Sequence, residues 1–244
     1  MNAQSRTLVV VATYKEIENL ARLLEQILAV APDVDVLVID DNSPDGTGDW
    51  CDQHAQQEQR LRCLHRPSKL GLGTATLAGF REAIDQGYDL VLTMDADFSH
   101  DPKYLPAMRA CMASSTQVVD VVIGSRYVPG GGIEGWPFHR RLMSRLVNTY
   151  ARLLLGLPVR DCSGAFRCYR CDTLKQLDFD QIRSRGYSYL EEILWLLKRR
   201  RARFAEMPIV FVDRVLGQTK INWREAVTAV GIIAVLGARN LLGL

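Results

Sequence analysis

Three short apolar runs, each ending in a cluster of polar residues, constrain this chain more than anything else in it. Leu8 to Ala12, Val34 to Ile39 and Asp89 to Thr93 have strand length, and the first two are rich in β-branched residues. Strands buried on both faces of a parallel sheet read this way. Between the first two, Ile17, Leu20, Leu24, Ile27 and Leu28 recur at helical spacing until Pro32 stops the pattern. Strand, helix and strand at that distance predict a right-handed crossover between parallel neighbours. Ligands bind such sheets beyond the carboxyl ends of the strands. The runs end in Thr13-Tyr14-Lys15-Glu16, in Asp40-Asp41-Asn42-Ser43-Pro44-Asp45-Gly46-Thr47 and in Met94-Asp95-Ala96-Asp97, so these polar residues converge on one edge.

Asp95 and Asp97 stand one residue apart before Phe98-Ser99-His100-Asp101-Pro102, where regular structure must break. Hard divalent cations take oxygen ligands, and Mg²⁺ is usually held by one or two carboxylates plus substrate phosphates. The pair is therefore a candidate metal site facing a diphosphate. Tyr14, Glu16, Asp40 and Asp41 are candidates to line a nucleotide pocket, with carboxylates accepting from base or ribose. A simple turn accounts equally well for Asp40 to Thr47, since its residues are turn formers.

Leu61 to His65 reads as a third strand, followed by Lys69-Leu70-Gly71-Leu72-Gly73 and a helix through Phe80 and Ala83. The third glycine of a dinucleotide fingerprint is absent, because position 76 is Thr, so Rossmann binding is rejected. Val118 to Gly124 is a further strand, ending in Ser125-Arg126-Tyr127, and Gly130-Gly131-Gly132 follows as a connector. A helix is expected from about His139 to Leu155. Arg140, Ser144 and Asn148 share one of its faces as a candidate anion clamp, while Leu142, Leu146, Tyr150 and Leu153 occupy another. Asp161 to Arg167 reads as a loop, Tyr189 to Leu197 as an amphipathic helix carrying Glu191 and Glu192, and Ala205 to Val212 as a last strand. A loop with Arg214 and Lys220 comes next.

A formal net charge of +2 gives no drive toward nucleic acid, and no nucleic-acid partner is expected. Six cysteines without a signal peptide fit free thiols in a reducing compartment, Cys168-x-x-Cys171 included. No run reaches the ~18 apolar residues of a spanning helix. The tail is nonetheless unusually apolar from Val227 to Ala238, with Arg239 after it. It can dock on the domain, lie in a membrane interface or pair with a membrane subunit; the last two are favoured.

These motifs, in this order, resemble family 2 glycosyltransferases, and within them the dolichol-phosphate (polyprenol-phosphate) mannosyltransferases. The resemblance rests on Thr13-Tyr14-x-Glu16-x-Glu18-Asn19, Asp40-Asp41-x-Ser43-Pro44-Asp45-Gly46-Thr47, Lys69-x-Gly71-Leu72-Gly73, Asp95-Ala96-Asp97 and Gly124-Ser125-Arg126-Tyr127. It continues through Trp136 with Arg140, Ser144 and Asn148, then Val212-Asp213-Arg214 with Gly217 and Lys220. It implies an α/β fold of GT-A type over residues 1–221, with a seven- or eight-stranded mixed sheet, mostly parallel and with helices on both faces. Residues 222–244 would add an apolar C-terminal helix for membrane or partner docking. The implied reaction is inverting transfer of mannose from GDP-mannose to a polyprenyl phosphate, with Mg²⁺ or Mn²⁺ as cofactor. Polyprenyl phosphate glucose synthesis from UDP-glucose is the close rival, and a silent nucleotide-sugar-binding subunit a distant one. By the same resemblance Ala12, Tyr14, Glu16, Ile39 and Asp41 contact the nucleoside, and Asp95, Ala96 and Asp97 the diphosphate and metal. Arg126, Arg140 and Ser144 hold the acceptor phosphate, Arg126 also contacting the nucleotide sugar and Asp97, Arg126 and Arg140 being the catalytic set, while Arg214 and Lys220 reach phosphate oxygens from a closing loop. The protein would then sit peripherally on the cytoplasmic face of a membrane, with a small membrane subunit as a candidate partner. Three departures stand out: Ala12 replaces a usual Pro, Ser99 an often-found Gln, and Ser163-Gly164-Ala165-Phe166 a Thr-x-Gly-Phe pattern.

Overall fold

The computed structural model describes residues 5–113, 118–214 and 223–242, with the side chains of 223–227 excepted. The chain opens β1 (Thr7–Thr13), α1 (Ile17–Val30), β2 (Val34–Asp40), α2 (Thr47–Ala55), β3 (Leu61–His65), α3 (Leu72–Asp85) and β4 (Leu90–Asp95). It continues with α4 (Leu105–Met112), β5 (Val121–Ser125), β6 (Gly132–Glu134), α5 (Phe138–Leu155), β7 (Arg167–Arg170) and α6 (Cys171–Leu174). The last elements are α7 (Tyr189–Arg199), β8 (Phe204–Pro208), β9 (Val210–Val212) and α8 (Trp223–Leu241).

Seven strands form one sheet in the order β3-β2-β1-β4-β7-β5-β8. All neighbours are parallel except β7, which runs antiparallel to both β4 and β5. Thr13 pairs with Asp40 and Ala12 with Asp95, so the three polar clusters do share one edge. Alternate residues of β1 enter opposite cores. Leu8 and Val10 pack with Phe80 and Ile193 on one face, while Val9 and Val11 pack with Leu20, Leu24 and Leu105 on the other. This is the two-sided burial that the LVVVA run required.

Two expected strands change. The fifth begins at Val121 rather than Val118. The run from Ala205 to Val212 divides at Ile209: β8 stays with β5, and β9 leaves to pair with β6 in a separate two-stranded sheet. Ile209 serves both sides, donating to Ser125 O and accepting from Gly132 N, each at 3.0 Å. Gly131 makes the turn possible, since a Cβ there would lie 2.5 Å from Ser125 O.

β7 begins at Arg167, the last residue of the loop expected from Asp161, and runs on where no strand was expected. Its Arg-Cys-Tyr-Arg sequence has no apolar signature, yet Arg167 is fully buried, donating to Cys162 O at 2.6 Å and Leu190 O at 2.8 Å. All six cysteines are free thiols, as expected. The tail docks on the domain, the placement that the sequence did not favour. Ile233 and Leu236 of α8 enter the core beside α5 and α7, and Asn240 bridges Trp195 Nε1 and Leu154 O. Val235, Leu241 and Leu242 stay exposed. Among the described residues no helix is long and apolar enough to cross a membrane.

Candidate active site

A cleft at the carboxyl edge of the sheet is lined by Ala12, Tyr14, Glu16, Asp41, Asp95, Ala96, Asp97 and Arg214, eight of the residues singled out in the sequence. Three residues expected at the nucleotide sugar, Ile39, Asp40 and Arg126, do not line it. Ile39 is fully buried beneath, in the core. Asp40 is spent on the turn, its carboxylate accepting from Thr13 Oγ1 at 3.2 Å and from Ser43 N at 2.9 Å. Asp45 does similar work, accepting from Thr47 Oγ1 at 2.6 Å and Ile17 N at 3.3 Å. The Asp-Asp-x-Ser-Pro-Asp-Gly-Thr stretch is thus both turn and pocket: Asp40 and Asp45 build it, and Asp41 faces the cleft. Lys220 lies outside the described residues.

Asp41 is held by Arg66 Nε and by Leu70 N, the latter at 3.2 Å. Lys69 Nζ stands 4.5 Å from the centre of the Tyr14 ring. The far wall is Gly186-Tyr187, which the sequence did not flag. Two interactions place it. Glu192 on α7 accepts from Arg183 N at 3.2 Å and Ser184 N at 2.9 Å. Opposite, Gly71 has φ +101°, and a Cβ there would lie 2.5 Å from Arg185 O, so only glycine lets the two loops meet.

At the centre Asp97 is buried while Asp95 is partly exposed. Burial pushes the Asp97 carboxyl up, but hydrogen bonds from Ser99 and the charge of Arg214 outweigh it and leave the group below its ordinary value. Ser99 Oγ donates to Asp97 Oδ1 at 2.6 Å, and Arg214 Nη2 lies 3.2 Å from Oδ2. His100 is buried and stacked on Phe166, and its Nδ1 accepts from Asp95 N at 3.1 Å. Burial first, with Arg126 adding, drives its pKa down to about 4, so the ring is neutral and structural at pH 7. Two carboxylates lining one cleft, Asp95 and Asp97, form a hard oxygen donor set. That set suits Mg²⁺ or Mn²⁺.

A second cluster gathers around Trp136. The Arg140 guanidinium lies 4.0 Å from its ring centre and the Arg126 guanidinium 5.8 Å. Tyr127 donates its hydroxyl to Ser144 Oγ at 2.7 Å. Arg126, Arg140 and Ser144 are therefore neighbours, as their motifs implied. Arg126 is buried in a bidentate pair with Asp161, both bonds 2.7 Å, and also donates to Ser163 Oγ at 2.9 Å. Burial lowers the pKa of Arg126 and the facing Asp161 more than restores it, so the cation is permanent. Arg140 is more open and pairs with Asp213 at 3.1 Å. Asn148, expected on the anion-binding ridge, is turned inward, accepting from Cys162 N at 2.7 Å and donating to Ser163 Oγ at 2.9 Å. It braces the Asp161 loop and is not available to an anion.

A mixed, mostly parallel sheet with two carboxylates at the end of β4, beside a cleft and a basic cluster, has the layout of a GT-A-type fold. Residues 8–178 match the family described as glycosyl transferase family 2, and the chain belongs to it. It is 43% identical over 217 residues to the undecaprenyl-phosphate mannosyltransferase of Micrococcus luteus, covering 89% of this chain and 88% of that protein. It is 38% identical over 238 residues to the polyprenol monophosphomannose synthase of Mycolicibacterium smegmatis, covering 97% and 89%. Its fold resembles a mannosyltransferase from Pyrobaculum calidifontis solved with GDP-Man and Mn²⁺: TM-score 0.61 at 15% identity, covering 100% of this chain and 66% of that one.

Proposed function

We propose that this glycosyltransferase moves mannose from GDP-mannose to a polyprenyl phosphate, releasing GDP and giving polyprenyl phosphate mannose with inversion. The observation that carries the proposal is the pairing of the Asp95–Asp97 cleft with the arginine cluster at Trp136. The two relatives at 43% and 38% identity are named for mannosyl transfer to lipid phosphates, which supports it. A phosphate oxygen of the acceptor forms the new bond to the anomeric carbon, and the bond from that carbon to the diphosphate breaks. A phosphate monoester has a second pKa of about 6 and arrives anionic. It needs positioning and neutralisation rather than a general base. The neutral, enclosed His100 agrees with that requirement.

Tyr14, Glu16 and Asp41 would take the nucleoside, with Ala12 in the wall and Lys69 beside the Tyr14 ring. Asp95 and Asp97 would hold Mg²⁺ or Mn²⁺, which neutralises the leaving diphosphate when bound. Arg214 would take up diphosphate oxygens. Arg140 and Ser144 would receive the acceptor phosphate, with the Arg126–Asp161 pair bracing the loop behind them.

The acceptor's long isoprenoid cannot leave a bilayer, so the protein must work at its surface, on the cytoplasmic face as a peripheral protein. Phe138, Leu142, Met143, Leu146 and Leu153 form an exposed apolar stripe on α5, on a different face of the helix from Arg140 and Ser144. Leu241 and Leu242 of α8 are exposed as well. Such a stripe can enter the headgroup region while neighbouring arginines meet lipid phosphates. A small membrane subunit would dock on the same stripe. The deciding assay incubates purified protein with Mg²⁺, a polyprenyl phosphate and labelled GDP-mannose or UDP-glucose in parallel. Labelled lipid only with GDP-mannose is expected; transfer from UDP-glucose alone would overturn the donor assignment.

A further inference from the structure

The edge strand β3 carries a cluster of side chains that the cleft does not use. Leu61, Cys63 and His65 lie on the face of β3 that α2 covers, while Leu64 packs on the opposite side. The first turns of α2 place Cys51 and Asp52 against them. His65 Nε2 lies 2.9 Å from Asp52 Oδ2. One ligand atom each of Asp52, Cys63 and His65 lies within 4.8 Å of the other two. The fully buried Cys51 packs in the same cluster as Cys63.

We propose that Asp52, Cys63 and His65 form a binding site for a thiophilic divalent cation, with Zn²⁺ as the ion whose chemistry fits. A thiolate, an imidazole and a carboxylate make a borderline-soft donor set, the kind that selects zinc and disfavours Mg²⁺ and Mn²⁺. The oxygen pair Asp95 and Asp97 has the opposite preference, so the chain sorts two classes of ion into two places. Tetrahedral ligands at zinc distances stand roughly 3.4 Å apart. Asp52 and His65 are about half exposed, which leaves them free to close by small rotamer changes and gives the ion a route in. The solvent side supplies a water as fourth ligand. Binding replaces the Cys63 S–H bond with a sulfur–metal bond and releases that proton to solvent, so affinity rises with pH. The bound ion ties α2 to β3 and covers part of the sheet edge at its exposed rim. The sequence holds the signal as Cys51-Asp52 followed by Cys63-x-His65, two neighbours on a helix and two same-face residues of a strand.

Full-length protein stripped of metal is titrated with Co²⁺ at saturating Mg²⁺, then with Zn²⁺ as competitor. One Co²⁺ per chain is expected, with a thiolate-to-cobalt charge-transfer band in the near ultraviolet that Zn²⁺ abolishes. Asp97→Asn should leave the band intact, which separates this site from the cleft. Cys63→Ser should remove it. Asp52→Asn and His65→Gln, both at exposed positions, should weaken binding about tenfold or more, since even outer-shell losses cost that much. No thiolate band, a band that survives Cys63→Ser, or unchanged affinity in both exposed variants would overturn the site.

Discussion

The guanidinium of Arg214 and the carboxylate of Asp97 face each other at 3.2 Å across the cleft. One belongs to the segment after β9 and the other to the end of β4. In the proposed reaction Asp97 would hold the divalent ion and Arg214 the diphosphate, so donor binding would give each a new partner of opposite charge. Asp97→Asn should reduce turnover by ~100-fold or more, the scale of losing a principal charge stabiliser. Its melting temperature should stay near that of the parent. Turnover in chelator equal to that in Mg²⁺ would contradict the metal assignment.

Arg126 and Arg140 should behave differently when each is changed to Lys. Arg126 is buried in a bidentate pair with Asp161, so Arg126→Lys or Asp161→Asn leaves a poorly compensated buried charge. Breaking such a pair costs roughly 3–5 kcal/mol. Both variants should unfold at lower denaturant. Arg140→Lys touches a partly exposed pair and should keep its stability while losing the planar fork. Its apparent affinity for the lipid phosphate should fall much more than for GDP-mannose. Equal losses for donor and acceptor would put Arg140 in the donor site instead.

The exposed stripe and the buried side of the tail make separable predictions. Leu142→Ser, Leu146→Ser and Leu153→Ser combined should leave a stably folded protein that no longer sediments with liposomes. Leu236→Ala removes a buried contact of α8 and should cost about 2–5 kcal/mol without touching that stripe. Truncation before Trp223 would mix the two effects, because Ile233 and Leu236 belong to the core. Undiminished liposome binding by the triple variant would place the membrane contact elsewhere.

Glu191 gives the fold a pH signature. Burial raises its pKa from 4.5 to about 7, against the opposing pull of its backbone hydrogen bond and Arg167. A group whose folded pKa is raised stabilises fully below its unfolded value, here pH 4.5, and that stability is lost as pH rises through 7. The contribution is on the order of 3 kcal/mol at most. Glu191→Gln keeps the shape and removes the titration. The gap in melting temperature between wild type and variant should change between pH 5 and pH 8, in favour of Gln at the higher pH. A gap constant over that range would show that Glu191 does not titrate there.

The sequence by itself determined the parallel half of the sheet and the edge on which chemistry gathers. Apolar runs that need burial on both faces leave few other folds, and Tyr14, Glu16, Asp41, Asp95 and Asp97 follow those runs directly. Tertiary structure decided what has no local signature. β7 is a strand only because β4 and β5 leave a gap for it, and Arg167 is buried because carbonyls from distant segments satisfy its charge. Asp40 and Asp41 are chemically identical neighbours, and only their opposite directions separate a turn brace from a cleft wall. The α5 stripe carries the periodicity of a core face, yet α8 and α7 pack on its other side and leave it bare. Periodicity fixes which residues share a face, and the packing of distant elements fixes which face is covered.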